Sequence, residues 1–516
     1  MQSRQALMVL ALLPGFMSDA RAQADDWSAP DCVERYSRYS RVERANFWNA
    51  GSNVAGVRQD SVTVSYAELS GMYAGGGFHD YSDGGSLWGA GARAMSITHL
   101  ERISLTGSFY FGHSSGYGMC GSMSGRPGYY PFDVLEFTPG TKTRQVYAFS
   151  GGISADMGRK WRIGAKIDYK ASDYTKRKDL RHTDYLLDMT VAPSALYRQG
   201  DFALGFSAIF SKNSETINAE VLGISDSTYY AFLDKGLMYG AYESWEGGGV
   251  HLSESGVNGF PARELLYGCA VQVQWKGFYA EMEYLYGDGK AGEKEVIWFR
   301  FPSHRAALRI GYAFGEPERR HFLRLSLKGV LQYNNESVIQ DVTENGVTLP
   351  VVYGYNRLLS RMILSANPEY ELDAGSFALT AGMKLYAGRS QASPMFPYIF
   401  MRDEFFGQMY ASASYTVKGF DIAAGLCAGA GFREEDGDMS VTSVRPEQEP
   451  FRLDKWNDIK SEYRTAPRVT AELGLRYRFW KGLFAGAGVR YTHGFNIRFL
   501  SGADRWTGTL MIGCEF

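Results

Sequence analysis

The final segment of the chain, residues 505–516, alternates strictly between apolar and polar positions. One parity holds Trp506, Gly508, Leu510, Ile512, Cys514 and Phe516. The other parity holds Thr507, Thr509, Met511, Gly513 and Glu515. Because successive side chains of a β-strand point to opposite faces, this segment predicts a strand that is long enough to cross a bilayer. The pattern also fits the last strand of a soluble sandwich, so the rest of the chain has to decide.

Similar alternating runs repeat from about residue 61 to the end of the chain. We count about 18 of them, within a range of 14 to 18, joined in turn by short and long links. Lys418-Gly419 is typical of the short links. The long links lie near 114–142, 214–264, 334–356 and 434–462. This asymmetry is typical of transmembrane barrels, which have short periplasmic turns and long extracellular loops, and a soluble sandwich has no reason to keep it.

Charged side chains keep to one parity of these runs. In the run from Val469, one parity gives apolar residues such as Leu473 and Leu475, whereas the other includes Glu472 and Arg476. An isolated charge that faces lipid at mid-bilayer costs about 2–4 kcal/mol, so the charges should face a polar lumen. An open sheet edge is not tolerated in hydrocarbon, so the first run should pair with the last. The sequence predicts an all-β fold, a closed antiparallel transmembrane β-barrel.

The amino terminus has the features of a secretory signal peptide. Arg4 precedes the short apolar stretch 6–16, and Ala20-Arg21-Ala22 forms a small-x-small cleavage site. We therefore assign residues 1–22 as the signal peptide and expect the chain to be exported. The predicted location is the outer membrane.

Residues 23–56 differ from the rest and are predicted to form a periplasmic or plug-like segment, with the barrel taking residues 57–516. Basic residues recur there at every third position, namely Arg35, Arg38, Arg41 and Arg44. Residues three apart share one face of a helix, so this stretch could be a short basic helix. Two placements are open for it: the periplasm, or the mouth of the barrel against lumen carboxylates.

Composition agrees with a β-barrel. The mean hydropathy is −0.26 and aromatic residues reach 15%, alongside 60 glycines. Beyond the signal peptide there is no apolar run long enough for a transmembrane helix. The formal net charge of −2 gives no case for binding nucleic acid, and five cysteines do not make a disulfide framework.

The predicted lumen charges are the best candidate functional residues. They are Glu281, Glu283, Arg305, Arg309, Arg324, Lys328, Glu369, Glu371, Glu472, Arg476, Arg490 and Glu515. Opposed charges across a bore can select permeating solutes. Alternatively, they form cross-strand ion pairs that keep the inner wall rigid. The terminal Phe516 is assigned to recognition by the barrel-assembly machinery.

No catalytic set is apparent in the sequence. The eight histidines are scattered, and none lies in a His-x-x-x-His or His-Glu arrangement. Neither a Gly-x-Ser-x-Gly elbow nor a phosphate-binding glycine loop occurs. We therefore predict no enzyme activity, no metal site and no cofactor.

Several motifs resemble a family of outer-membrane β-barrels of unknown function from the Bacteroidota. They are Glu43-Arg44, Asn49-Ala50-Gly51, Tyr129-Tyr130-Pro131-Phe132-Asp133, Tyr147-Ala148-Phe149-Ser150-Gly151-Gly152 and Arg177-Lys178-Asp179-Leu180-Arg181. The chain is also distantly similar to fatty-acid-transporter-like barrels, although the usual proline after the asparagine is absent. The resemblance implies an outer-membrane location and an association with TonB-dependent uptake, but no defined substrate.

Three functions follow from these observations. The first is a pore or uptake-associated channel for small polar solutes, working with a TonB-dependent system. The second is a nonenzymatic assembly or surface-complex subunit of the outer membrane. The third, which the lack of a catalytic set disfavours, is an outer-membrane lipase or protease. The expected partners are outer-membrane lipid, the barrel-assembly machinery, and a TonB-dependent receptor or surface lipoprotein.

Overall fold

The computed structural model describes most of the chain. The described ranges are 34–59, 61–220, 231–237, 242–244, 260–292, 296–344, 346–393, 398–437 and 453–516. The predicted signal peptide, residues 1–22, lies outside them. So do residues 23–33 of the predicted plug-like segment.

Almost all regular structure in the described ranges is β-strand. The helices are α1 (Arg38–Ala45), α2 (Leu453–Thr465) and the 3₁₀ helices Glu34–Tyr36, Phe47–Ala50 and Val54–Gln59. The strands are β1 (Val64–Gly76), β2 (Ser86–His99), β3 (Ile103–Ser122), β4 (Asp133–Asp156), β5 (Trp161–Lys176), β6 (Arg181–Gln199), β7 (Phe202–Glu220), β8 (Ala231–Asp234), β9 (Tyr242–Ser244), β10 (Phe260–Trp275), β11 (Phe278–Gly292), β12 (Ile297–Arg300), β13 (Ser303–Glu316), β14 (Arg319–Glu344), β15 (Val347–Ala374), β16 (Phe377–Ala392), β17 (Phe400–Val417), β18 (Phe420–Gly437), β19 (Arg468–Trp480), β20 (Leu483–Gly494) and β21 (Asp504–Glu515). Neither α-helix is long and apolar enough to cross a membrane.

The strands form one closed antiparallel sheet. Its first and last strands pair with each other, from Tyr66 opposite Glu515 to Gly76 opposite Arg505. β7 pairs directly with β10, so that the β8–β9 hairpin is not part of the wall. β12 and β13 both lie between β11 and β14, so together they count as one strand of the wall. The wall therefore has 18 strands, which confirms the predicted closure and strand number.

The two faces of the wall follow the predicted parity. Leu473 and Leu510 on the outer face are 61% and 69% exposed, as lipid-facing side chains should be. Arg476, on the opposite parity of β19, is 2% exposed inside the barrel. Aromatic side chains such as Trp506 and Phe516 add to the exposed apolar surface. Apolar groups therefore face outward and charged groups face the bore.

The two ends of the barrel differ in their connections. At the end we call inner, two-residue turns such as Lys418-Gly419 and Lys481-Gly482 have positive φ at both positions. Such turns match the twist of an antiparallel pair, and glycine adopts this conformation without strain. The chain enters β1 and leaves β21 at the same end. The opposite end, which we call outer, carries the longer connections.

One predicted loop is a β-ribbon in the structure. Residues 334–344 and 347–356 belong to β14 and β15, which stay paired up to Glu344 opposite Val347. The sequence contains the signal for this: Asn345-Gly346 is typical of a two-residue hairpin turn, and apolar residues alternate after it. The prediction of a loop there was wrong because the strands continue beyond the length needed to cross a bilayer.

We expect Leu510→Arg to destabilise the barrel in bilayers by about 2–4 kcal/mol, since it places a charge against lipid near the middle of β21. The neighbouring Thr509→Arg serves as the control, because residue 509 lies on the parity that faces the bore. The measurement is reversible unfolding in lipid vesicles. Equal losses in both variants would contradict the assigned facing.

Candidate functional site

Residues 34–59, which we call the floor segment, lie inside the inner end of the barrel. They cross the bore and contact strands around its circumference. Hydrogen bonds join Tyr36 Oη to Ser412 O (2.8 Å), Tyr39 N to Glu515 Oε1 (2.9 Å), Trp48 Nε1 to Gln274 Oε1 (2.6 Å), Asn53 Nδ2 to Gln272 Oε1 (2.9 Å) and Arg58 Nη1 to Leu100 O (3.0 Å). The sequence left two placements open for the basic helix. In the structure the helix lies within the barrel.

Close packing reinforces these polar contacts. Trp48 is 2% exposed, and its ring lies edge-on to Tyr279 at a centroid distance of 5.3 Å. A Cβ atom on Gly152 or Gly164 of the wall would lie 2.6 or 2.7 Å from the side chain of Val54. Glycine at these two positions therefore lets the floor segment approach the inner face of β4 and β5.

An ion-pair cluster around Arg44 also anchors the floor segment. Its guanidinium lies 2.5 Å from both Glu369 and Glu371 on β15. Arg324 on β14 lies 2.7 Å from Glu371 and also donates to the carbonyl oxygen of Arg44 at 2.9 Å. Two guanidinium groups thus share two carboxylates, and such charge-assisted hydrogen bonds are about twice as strong as neutral ones. Nearby, Arg41 lies 3.3 Å from Asp373.

A second cluster of predicted lumen residues lies on β11 and β13. Arg309 is 2.6 Å from Glu281 and 3.5 Å from Glu283. Glu281 also accepts a hydrogen bond of 2.6 Å from the hydroxyl of Tyr279. The floor segment passes so close that a Cβ atom on Gly51 would collide with the Glu281 carboxylate.

The remaining predicted residues near the seam also have partners. Arg476 lies 2.9 Å from Asp421 and 3.7 Å from Glu515. Arg490 and Glu472 form a separate pair at 2.8 Å. Lys328 lies on the inward parity of β14, opposite Ala307 and Ser365.

The outer half of the bore is filled by the connection between β3 and β4, residues 123–132, which we call the inward loop. Arg126 lies 3.0 Å from Asp188 and 3.3 Å from Glu215. The backbone N–H of Gly125 donates to Asp184 at 2.7 Å.

Tyr129 at the tip of the inward loop binds the opposite wall. Its hydroxyl donates to Glu264 (2.7 Å) and accepts from Arg305 (3.0 Å). Arg361 donates to the Tyr129 carbonyl oxygen at 3.0 Å. Arg305 therefore belongs to the contacts of the inward loop, which we call the outer closure. Arg309, four residues further along the same strand, belongs to the cluster beside the floor segment, which we call the inner closure.

Aromatic packing covers the inward loop from the outer side. Tyr130 and Phe132 stack at 5.4 Å, and Phe132 stacks on Phe299 at 5.6 Å. These rings belong to a buried cluster that also contains Phe260 and Phe301.

Helix α2 packs over the outer end next to this cluster. Trp456 is buried against Phe137 and Phe232. Glu462 accepts backbone N–H bonds from the connection before β21, at Arg498 (2.7 Å), Phe499 (2.7 Å) and Leu500 (2.8 Å). The outer end is therefore covered by packed chain.

Water-accessible space remains between the two closures. Lys166 and Asp168 lie on the inward parity of β5, 3.3 Å apart, yet their side chains are 28% and 38% exposed. Lys384, on the inward parity of β16, is exposed as well. We call this region the central chamber; its described lining is polar and carries both signs of charge.

The model of a family of unknown function, DUF6850, matches residues 54–516. The chain belongs to this family. The predicted membership of an uncharacterised family is thereby confirmed, whereas the affiliation with the Bacteroidota stays a prediction. No curated protein matches the sequence.

Solved structures similar to this DUF6850 chain are outer-membrane-type barrels. The ferric preacinetobactin receptor BauA of Acinetobacter baumannii has 8% identity and a TM-score of 0.39, over 88% of this chain and 80% of that chain. The copper transporter OprC has 7% identity and a TM-score of 0.39, over 89% of this chain and 80% of that chain. The outer membrane protein opdK of Pseudomonas aeruginosa has 9% identity and a TM-score of 0.32, over 88% of this chain and 99% of that chain. These likenesses concern the barrel fold and carry no argument about function.

A serine–histidine contact at the outer end bears on the lipase or protease alternative. Ser501 Oγ lies 3.2 Å from His79 Nε2. The other ring nitrogen faces the backbone carbonyl of Asp80 at 2.9 Å. In a catalytic triad a carboxylate orients the histidine at that position. The contact ties two connections together and does not have the geometry of a triad.

Sequence reasoning missed the partners of the lumen charges. Asp373, Asp421, Glu264 and Glu215 were not singled out, and neither were the anchors Trp48 and Asn53. Two of the motifs that carry the family resemblance lie in the segments that close the bore. Asn49-Ala50-Gly51 lies in the floor segment, and Tyr129 to Asp133 covers the end of the inward loop and the start of β4. Their role was not apparent because nothing in the sequence shows which wall residues they meet.

We expect Arg44→Ala to loosen the floor segment. Removing Arg44 leaves Glu369 and Glu371 with Arg324 and should cost about 1–3 kcal/mol. Hydrogen exchange of residues 38–58 should speed up accordingly. Arg38→Ala is the matched control, because Arg38 lies on the same helix but is exposed. Equal acceleration in both variants would show that the cluster does not hold the segment.

Docking of the floor segment should also depend on pH. Burial raises the pKa of the Glu43 carboxyl, while Lys166 and Arg44 act to lower it. A group with a raised pKa binds more protons when docked, so docking weakens as pH rises from the ordinary carboxyl pKa through the raised value. We expect faster hydrogen exchange of residues 38–58 at pH 8 than at pH 5, beyond the intrinsic pH effect. Glu43→Gln should remove that difference, and an unchanged difference would disprove the assignment.

Proposed function

We propose that this chain is an outer-membrane channel for small polar solutes that is closed at rest by its own floor segment and inward loop. The observation that carries the proposal is a polar, water-accessible chamber between two closures built from non-covalent contacts. An 18-stranded wall encloses a bore wide enough for water when no chain fills it.

The floor segment is suited to reversible movement. Its backbone-to-backbone hydrogen bonds are internal, as between Gly51 and Trp48 or Gly56 and Asn53. The hydrogen bonds described between the segment and the wall each involve at least one side chain, and each contributes a net of about 0.5–1.5 kcal/mol. Releasing the segment would therefore leave every strand pair of the wall intact.

The proposal includes a location and partners. The outer membrane suits the lipid-facing belt, with the inner end in the periplasm and the outer end at the cell surface. The barrel-assembly machinery is a proposed partner. A TonB-dependent receptor or a surface lipoprotein is the proposed partner that moves the closures or delivers the solute. No catalysis is proposed.

One observation favours a surface-complex subunit as the second candidate. The ribbon formed by β14 and β15 extends past its neighbouring strands, and side chains such as Leu349 and Tyr353 are 60% and 62% exposed on it. Exposed apolar groups beyond the membrane are typical of a contact with another protein. In that case both closures would be permanent.

Single-channel recording in planar bilayers separates the two functions. We expect the wild-type chain to be silent. A variant that lacks residues 34–58 and has its outer cover, the inward loop 124–130 and helix α2, replaced by short glycine linkers should conduct, because both closures are gone. The matched control is deletion of residues 340–349 from the ribbon, which lies outside the bore and should stay silent.

Folding of each variant is checked by its heat-dependent gel mobility. A double variant that folds but remains silent would overturn the channel and leave the surface-complex subunit. Conductance after deletion of residues 34–58 alone would assign the resting barrier to the inner end.

A further inference from the structure

The motif Arg177-Lys178-Asp179-Leu180-Arg181 has no part in either closure's ion-pair clusters. Its first four residues form the connection between β5 and β6 at the outer end, and Arg181 begins β6. Leu180 is fully buried in the aromatic cluster and fixes this connection to the barrel. Arg177 and Lys178 are exposed beside it. A buried anchor therefore holds two adjacent cations at the surface.

These two cations line a groove of about 480 Å³. Its other lining residues are Gly118, Pro139, Gly140 and Thr141. The stem of Lys176 lies directly beneath, 2.7 Å from where a Cβ atom on Gly140 would be. Glycine at position 140 thus brings the backbone close to a third lysine.

Buried charge below the groove is positive in excess. The ammonium groups of Lys142 and Lys176 lie 3.0 Å and 2.6 Å from Glu136, and all three side chains are 0% exposed. Two cations thus share one carboxylate. His182, also buried, has no hydrogen-bond partner on either ring nitrogen and adds no negative charge. A second anion near this position would offset the excess.

The groove lies just above the lipid-facing belt. Tyr185 on β6 is 58% exposed on the outer face and follows Arg181 by four residues. That separation is about 13 Å along a strand, and about 10 Å in height for a strand tilted by about 40°. Exposed tyrosines mark the membrane interface, so Arg177 and Lys178 lie roughly 10 Å to its outer side.

We propose that this groove binds a phosphate group, carried by a phosphorylated glycolipid of the surrounding membrane or present as free phosphate. Arg177 and Lys178 would donate charge-assisted hydrogen bonds to the phosphate oxygens, and guanidinium geometry suits such a contact. The two exposed cations lie outside the ion pairs of both closures, although Leu180 beside them packs in the aromatic cluster that covers the inward loop.

The test compares Arg177→Gln/Lys178→Gln with Arg159→Gln/Lys160→Gln. The control pair lies in the turn between β4 and β5 at the inner end, and both of its residues are exposed. Binding of lipid A, of its dephosphorylated form and of inorganic phosphate is measured by native mass spectrometry on full-length protein in neutral detergent. Loss of two charge-assisted bonds should weaken phosphate binding about tenfold or more.

Each outcome of these measurements either supports or overturns the proposed phosphate site. Tighter binding of lipid A than of its dephosphorylated form, lost in the 177/178 variant and kept in the control, supports a lipid phosphate. Inorganic phosphate that binds with the same dependence and displaces lipid A supports free phosphate. Equal binding of both lipids, or equal losses in the two variants, overturns the site. Arg177→Lys keeps a cation but loses the guanidinium geometry, so it should bind phosphate less tightly than wild type and more tightly than the 177/178 variant.

Discussion

The structure depends on one constraint: every backbone polar group within a lipid bilayer must be paired inside the protein. Pairing of β1 with β21 removes the last free sheet edge and makes the wall a closed ring. The ring in turn decides where charge is tolerated. Arg476 and Glu515 beside the seam face inward, where they meet Asp421 and the floor segment.

A polar inner wall also determines how the bore can be filled. An apolar plug would bury charged wall residues without partners, which is strongly unfavourable. The floor segment instead brings Arg41 and Arg44 to the carboxylates of β15. Burying such pairs gains little net free energy, because desolvation offsets most of the attraction. Their main effect is to fix the segment in one register, since each guanidinium meets carboxylates at one position on the wall.

Much of the wall could be predicted from the sequence, because side-chain facing follows directly from a period of two. The 18 strands, the closure and the inward charges all come from that period. The partners do not. Arg44 and Glu369 are 325 positions apart, and no local pattern links them. Arg305 and Arg309 look equivalent on β13, yet one holds the inward loop and the other lies beside the floor segment.

The reason for glycine at certain positions of the inner wall could not be predicted from the sequence either. In a strand, glycine usually indicates a bulge or a weak point. Glycine is needed at positions 152 and 164 for a different reason: the side chain of Val54 occupies the space that a methyl group would need. Their role appears only when a segment from outside the sheet is placed against them. The same holds for Gly51, which passes the Glu281 carboxylate.

Opening either closure exposes buried aromatic side chains. The floor segment holds the wall through side-chain hydrogen bonds and partly exposed ion pairs, whose net contributions are small, and also through buried rings such as Trp48. The inward loop is covered by stacked rings such as Tyr130 and Phe132. Each buried aromatic side chain removes about 150–250 Å² from water, and at about 25 cal/mol per Å² exposing one such ring costs several kcal/mol. A solute or partner that opens either end therefore has to replace aromatic contacts as well as ion pairs.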